Sequence, residues 1–317
     1  PTGGTTGPST PPAPTVWRRI DATGPSARRD HSFTGDPVAG VAFLFGGRDA
    51  AGTALGDFWI FTAATAAWER VTARGPSPRF GHNAEVTGGR LVLFGGQAAP
   101  REFFNDVWEY DRTAGAWLRL TPKAPRPAQR YGAGSAVVDD RLLVTHGFTD
   151  SGRFDDTWRL GANAWENASP AAGPRPVKRC LHRTAWWPGA KGVALFGGQT
   201  NNTAFLGDFW LYDPAAKRWR QVQHQAPPQP RNLHAMFVLS DRLWVVGGAG
   251  ADGPLGSLAH IGAGQTTWNN LETPPGAVPQ ARSGIEAAVM GPKRALIFGG
   301  RGASGDLSDL WEFTDVI

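Results

Sequence analysis

The 317-residue chain holds one cysteine, Cys180, two methionines and three tyrosines. A single thiol excludes an internal disulfide framework and any multi-thiolate metal site. No run of about 18 or more apolar residues occurs, so no segment is long enough to cross a bilayer as a helix, and the chain reads as soluble. P-loop, Gly-x-Ser-x-Gly and His-Glu-x-x-His strings are absent. Residues 1–15, PTGGTTGPSTPPAPT, carry no charge and no apolar stretch, so as they stand they resemble neither a signal nor a transit peptide and read as a disordered linker. The compartment stays open, with a lean to an extracytoplasmic setting over a cytoplasmic one. What is abundant is glycine (42), proline (26) and tryptophan (14). That mixture points to one all-β domain of many short strands joined by turns. The formal charge of +5 comes mainly from arginine, and a pI near 9.8 favours anionic partners if the arginines cluster.

Self-similarity organises the rest. A glycine pair follows an apolar run at Gly46-Gly47, Gly95-Gly96, Gly197-Gly198, Gly247-Gly248 and Gly299-Gly300, with a degenerate copy at His146-Gly147. The steps between copies are 49, 51, 51, 50 and 52 residues. Each unit begins with Arg and a short strand, as in PRFGHNAEV, and its second strand ends in the glycine pair, as in RLVLFGG. The third strand opens with Asp-x-Trp at Asp57/Trp59, Asp106/Trp108, Asp156/Trp158, Asp208/Trp210 and Asp309/Trp311; the fifth unit reads Ser257-Leu258-Ala259 instead. A fourth strand carries Trp68, Trp117, Trp165, Trp219 or Trp268. Four short strands make one antiparallel blade, which cannot bury both faces alone, so the units must close into a ring. The last unit stops after DLWEF, and residues 16–20, VWRRI, match the missing strand with Trp17 in the tryptophan position. The expected fold is an all-β, six-bladed β-propeller over residues 16–317, closed by an N-terminal strand that completes the last blade.

The glycine pair, the Asp-x-Trp strand and the later Trp at these offsets resemble the kelch repeat, whose period is about 50 residues. Within that superfamily the chain is similar to bacterial and galactose-oxidase-central-domain repeats. The resemblance fixes the fold and leaves function open, because kelch propellers include binding scaffolds, sugar isomerases, specifier proteins and copper-radical oxidases.

Strand order places the 4→1 and 2→3 connections on one face. That face is expected to collect Arg28, Arg79, Arg130, Arg179, Arg231 and Arg282, one per blade, and the residues after each glycine pair, among them Arg48, Gln97, Gln199 and Arg301. In kelch propellers that bind acidic peptides, the resemblance implies that arginines at these two positions line the ligand mouth. A guanidinium ring would focus positive potential and fork onto carboxylates, although recurrence in every blade also suits a structural role. Arg29, Arg48 and Arg301 do not recur, and ring closure brings blades 1 and 6 together. His31, His82, His182 and His234 each follow the repeat arginine by three residues, a spacing that keeps them on separate blades and argues for satisfied inter-blade histidines over a metal site. His146, in a glycine position, is a candidate for projection near the ligand face. Trp186 and Trp187, on the opposite face, suit either a partner contact or turn packing.

Enzyme readings are thin. A copper-radical oxidase would need two tyrosines, one cross-linked to a cysteine, and two histidines about one metal, whereas of Tyr110, Tyr131 and Tyr212 the first and last belong to the third-strand repeat; the specifier spacing Glu102, Asp106 ends on Tyr110. An acid/base pair could come from Asp30, Glu85 or Glu286, with Glu286 on a channel-lining strand. The sequence therefore favours a non-catalytic binding module whose Arg-rich funnel holds an anionic peptide, protein loop or sugar acid. The alternative is a carbohydrate-active isomerase of mutarotase or epimerase type that uses Glu286. No metal or cofactor is called for. A protein or acidic small ligand is the expected partner, without nucleic acid or membrane, on a monomer.

Overall fold

Among the described residues, short apolar runs punctuated by Gly, Asn and Asp turns produce six four-stranded antiparallel sheets and four small two-stranded ribbons. The structure is a computed structural model and describes residues 16–202, 204–271 and 278–316; the 1–15 linker assignment lies outside these. Blade 1 runs from the axis outward as Ser32–Asp36, Val41–Phe45, Phe58–Thr62 and Ala67–Val71. The innermost strands of blades 2 to 6 are Asn83–Thr87, Gly134–Val138, Arg183–Trp187, Ala235–Leu239 and Ala287–Gly291. These six strands pack side by side in chain order, the last against the first, around a central channel.

Burial follows position in the blade. Every residue of Val41–Phe45 is buried, because a second strand has a neighbouring blade against each face and therefore reads as continuous apolar sequence. The outer strand Ala67–Val71 has no buried residue. One apolar cluster fills each space between blades; between blades 1 and 2, for example, Phe43, Phe45 and Phe58 pack with Leu91, Leu93 and Tyr110.

The ring closes at the expected seam. Trp17–Ile20 pairs antiparallel with Leu310–Thr314, Trp17 opposite Phe313 and Ile20 opposite Leu310, which makes it the outermost strand of the sixth sheet. Trp17 is buried against Phe313, with ring centroids 5.0 Å apart. Among the described residues no helix is long and apolar enough to cross a membrane.

Candidate functional site

The six repeat arginines are buried. In five blades the guanidinium is held by the Asp of the same blade's Asp-x-Trp. Arg28 Nη1 and Nη2 donate to Asp57 Oδ1 and Oδ2 at 2.7 and 2.8 Å, and Arg79, Arg130, Arg179 and Arg282 repeat this two-pronged contact with Asp106, Asp156, Asp208 and Asp309. Trp59 Nε1 donates to the same Asp57 carboxylate at 2.7 Å, and Arg28 Nη1 also reaches the first glycine's carbonyl, Gly46 O, at 3.1 Å. These contacts hold Asp57 below the usual carboxylate range against the opposing effect of burial. The expectation that this ring lines a ligand mouth is thus corrected, since its forks are spent inside the blades. Among the described residues, only Arg231 of the six lacks the carboxylate. It donates to Gln229 O and Gly247 O, and burial pulls its pKa down to about 10.

The residues that do reach the 2→3 face follow the repeat arginine or the glycine pair, and they bridge in pairs: Arg29 with Arg48, Phe80 with Gln97, Tyr131 with Phe148, Cys180 with Gln199, Asn232 with Ala249, and Ser283 with Arg301. Arg29 and Arg301 meet across the seam on one carboxylate, Asp306, at 2.5 and 3.7 Å. Arg48 pairs with Asp30 at 2.6 Å and lies over the Phe80 ring. Gln97 donates to Ala99 O, and Gln199 accepts from Asn232. Sequence reasoning missed Arg153, whose guanidinium lies 5.1 Å from the Phe148 ring centroid. Its polar contacts are neutral, Cys180 Sγ and Asn201. Arg153 belongs to a two-residue strand in a 2→3 ribbon, a segment too short and variable to register in the repeat.

His146 does not reach that face. A Cβ at the first glycine position of blade 1, where φ is +61°, would point at Arg79 O and the His82 ring of the next blade. His146 adopts the equivalent left-handed conformation, φ +59°, so its ring points between blades, 5.3 Å from His182 and 6.0 Å from Trp219. Burial pushes its pKa to about 3. The four repeat histidines also lie between blades, but His31, His182 and His234 find no hydrogen-bond partner among the described residues. His31 and His234 instead pack near edge-on against Phe298 and Phe196.

A backbone ring constricts the channel just inside this face. Gly81 N–H donates to Asp30 O, Gly132 to Gly81, Leu181 to Gly132, Leu233 to Leu181, Gly284 to Leu233 and Asp30 to Gly284, all at 2.7–2.9 Å. Every member has positive φ, from 54° to 68°; the left-handed turn brings the six peptides into one closed circle. The space at this level is about 10 Å³. Beyond it the channel widens to a cavity of about 560 Å³ along the innermost strands toward the 1→2 turns. Its ionisable lining is Glu85, Glu286 and Arg183. Glu286 pairs with Arg183 at 3.5 Å, not with a repeat arginine. Glu85 accepts from Ser135 Oγ at 2.8 Å; burial, opposed by that hydrogen bond, raises its pKa to about 7, with Glu286 adding to the rise. Trp186 lines the cavity, whereas Trp187 is buried in turn packing, its Nε1 donating to Asp241 O at 3.1 Å.

The repeat arginine, glycine pair and Asp-x-Trp thus form one recurring structural lock, and the family model of the KLHDC2/KLHL20/DRC7 Kelch-repeats domain matches residues 13–187 and 160–315. The chain belongs to the kelch-repeat family. Among relatives of this kelch chain, Kelch domain-containing protein 1 of Mus musculus is 25% identical over 210 residues, 57% of this chain and 51% of that protein. Adagio-like protein 3 of Oryza sativa subsp. japonica is 29% identical over 184 residues, covering 55% and 28%. The Leucine-zipper-like transcriptional regulator 1 homolog of Drosophila melanogaster is 28% identical over 284 residues, covering 81% and 28%. The kelch chain therefore spans between about a quarter and a half of these relatives.

Proposed function

We propose that this kelch domain is a non-catalytic interaction module that holds an acidic peptide or protein loop on its 2→3 face. Kelch kinship supports an interaction module. The observation that carries the finer reading is Arg153, a cation stacked on Phe148 with no carboxylate within ion-pair distance among the described residues. Arg301, half exposed, shares Asp306 with Arg29, so one charge of that pair is also left over. Together with Arg48 and the rings of Tyr131 and Phe148, these residues offer guanidinium forks for carboxylates beside apolar contact area. The repeat arginines take no part in the contact.

A fluorescein-labelled glutamate-rich peptide tests this by anisotropy. Binding should weaken with salt and at least tenfold in the R153E/R301E variant, while circular dichroism stays unchanged. Equal affinity of the folded variant and the parent would end this reading.

A further inference from the structure

The channel cavity lies beyond the backbone ring from the proposed docking face and is lined by different residues. Its volume, about 560 Å³, is that of a small-molecule site. Its three ionisable groups do not balance: Arg183 answers Glu286 at 3.5 Å, and nothing answers Glu85. Among the described residues no Arg, Lys or His lies within ion-pair distance of Glu85, and its one donor is the neutral Ser135 hydroxyl. A carboxylate facing a channel cavity without a counter-charge favours a cation that enters it.

The layering of the cavity narrows the class. Glu286 stands beside the constriction, since it lines both the small void there and the main cavity. One residue nearer the mouth than Glu85 on its strand is Val86. Val137, Trp186, Val238 and Val289 hold the equivalent place on four other innermost strands, and all five line the cavity. Polar depth and apolar collar together fit a charged head on an apolar stem.

We propose that the channel binds a small organic cation, a primary ammonium carried on an apolar stem, with the ammonium between Glu85 and Glu286 and the stem in the Val86–Val137–Trp186–Val238–Val289 collar. The head group meets Glu85, Glu286 and the Ser135 hydroxyl; Arg183 stays neutralised by Glu286, and the uncompensated Glu85 carboxylate repels an anion. Entry is from the 1→2 turns, because the backbone ring blocks the other end.

Three probes of equal length separate charge from hydrophobicity: hexylamine, hexanol and hexanoate, titrated calorimetrically into the intact protein at pH 8. Hexylamine should bind one to one and at least tenfold more tightly than hexanol, with no heat from hexanoate. Glu85→Gln keeps a group that accepts from Ser135, and should weaken hexylamine at least tenfold while leaving hexanol unchanged. A folded Glu85→Gln protein that binds hexylamine as the parent does overturns the proposal. So does a parent that binds hexanol equally well, or binds no amine. The peptide assay on the other face reads separately, so either site can fail alone.

Discussion

Arg231 shows by contrast what the Asp-x-Trp signature does in the other blades. Five repeat arginines spend two nitrogens on an aspartate of their own blade; in blade 5 the aspartate position is Ser257, and burial pulls the pKa of Arg231 to about 10. Ser257→Asp should supply the missing partner. Hydrogen bonds to charged groups contribute about 1.5–3 kcal/mol, so the urea midpoint should rise by an equivalent amount, and no rise would show that blade 5 holds its arginine differently. The converse variant, Asp106→Asn, should destabilise by about 3 kcal/mol or more because it leaves Arg79 buried without its charge partner. The recurrence of Arg with Asp was legible in the sequence, down to the blade where Asp drops out. That the two touch was not, because 26 to 29 residues separate them in the chain and spacing of that length carries no distance.

Strands and their order were the most legible layer. Apolar second strands ending in a glycine pair, and a strand motif missing at one terminus but present at the other, dictated both the blades and the seam. Trp17 holds that seam from within the cluster that includes Trp244, Ile297 and Phe313. Trp17→Ala should cost about 3–5 kcal/mol as a large-to-small core change. Arg18→Ala, on the same strand, removes an ion pair to Glu312 in which Arg18 is 65% exposed, and such surface pairs contribute about 1 kcal/mol or less. Urea unfolding of the two variants tests whether the N-terminal strand is held by its buried face: comparable losses would refute it. What the elements did not disclose was the site. His146 and the repeat arginines are suitable residue types at the strand ends nearest that face, but a strand pattern cannot say whether a side chain at its end turns inward or outward. Arg153 lay unnoticed because the 2→3 ribbons differ from blade to blade.

Across the whole molecule, the packing that makes the ring also makes it acid-labile. His31, His82, His146, His182 and His234 are buried between blades, and burial lowers the pKa of each, with nearby arginines pushing further the same way. Below the unfolded value of 6.5 the open chain takes up protons that the folded chain refuses, so these five groups withdraw stability as pH falls from about 6.5. Glu85 works in the opposite sense. Its folded pKa is raised to about 7 from 4.5, so the folded chain holds a proton that the unfolded chain has lost, and its contribution is present at low pH and disappears as pH rises through 7; Glu286 is shifted in the same direction. The five histidines outnumber the carboxylates that oppose them, so unfolding takes up protons on balance as pH falls below about 6.5. Stability from urea unfolding should therefore fall steeply between pH 6.5 and 5, well above the range in which the Asp–Arg pairs titrate. Glu85→Gln should steepen that fall and stabilise the protein at pH 8, where the parent must keep an ionised carboxylate in the channel. A flat profile from pH 7.5 to 5 would mean that the histidines gain protons while the ring stays closed, and a Glu85→Gln profile parallel to the parent's would remove Glu85 from the balance.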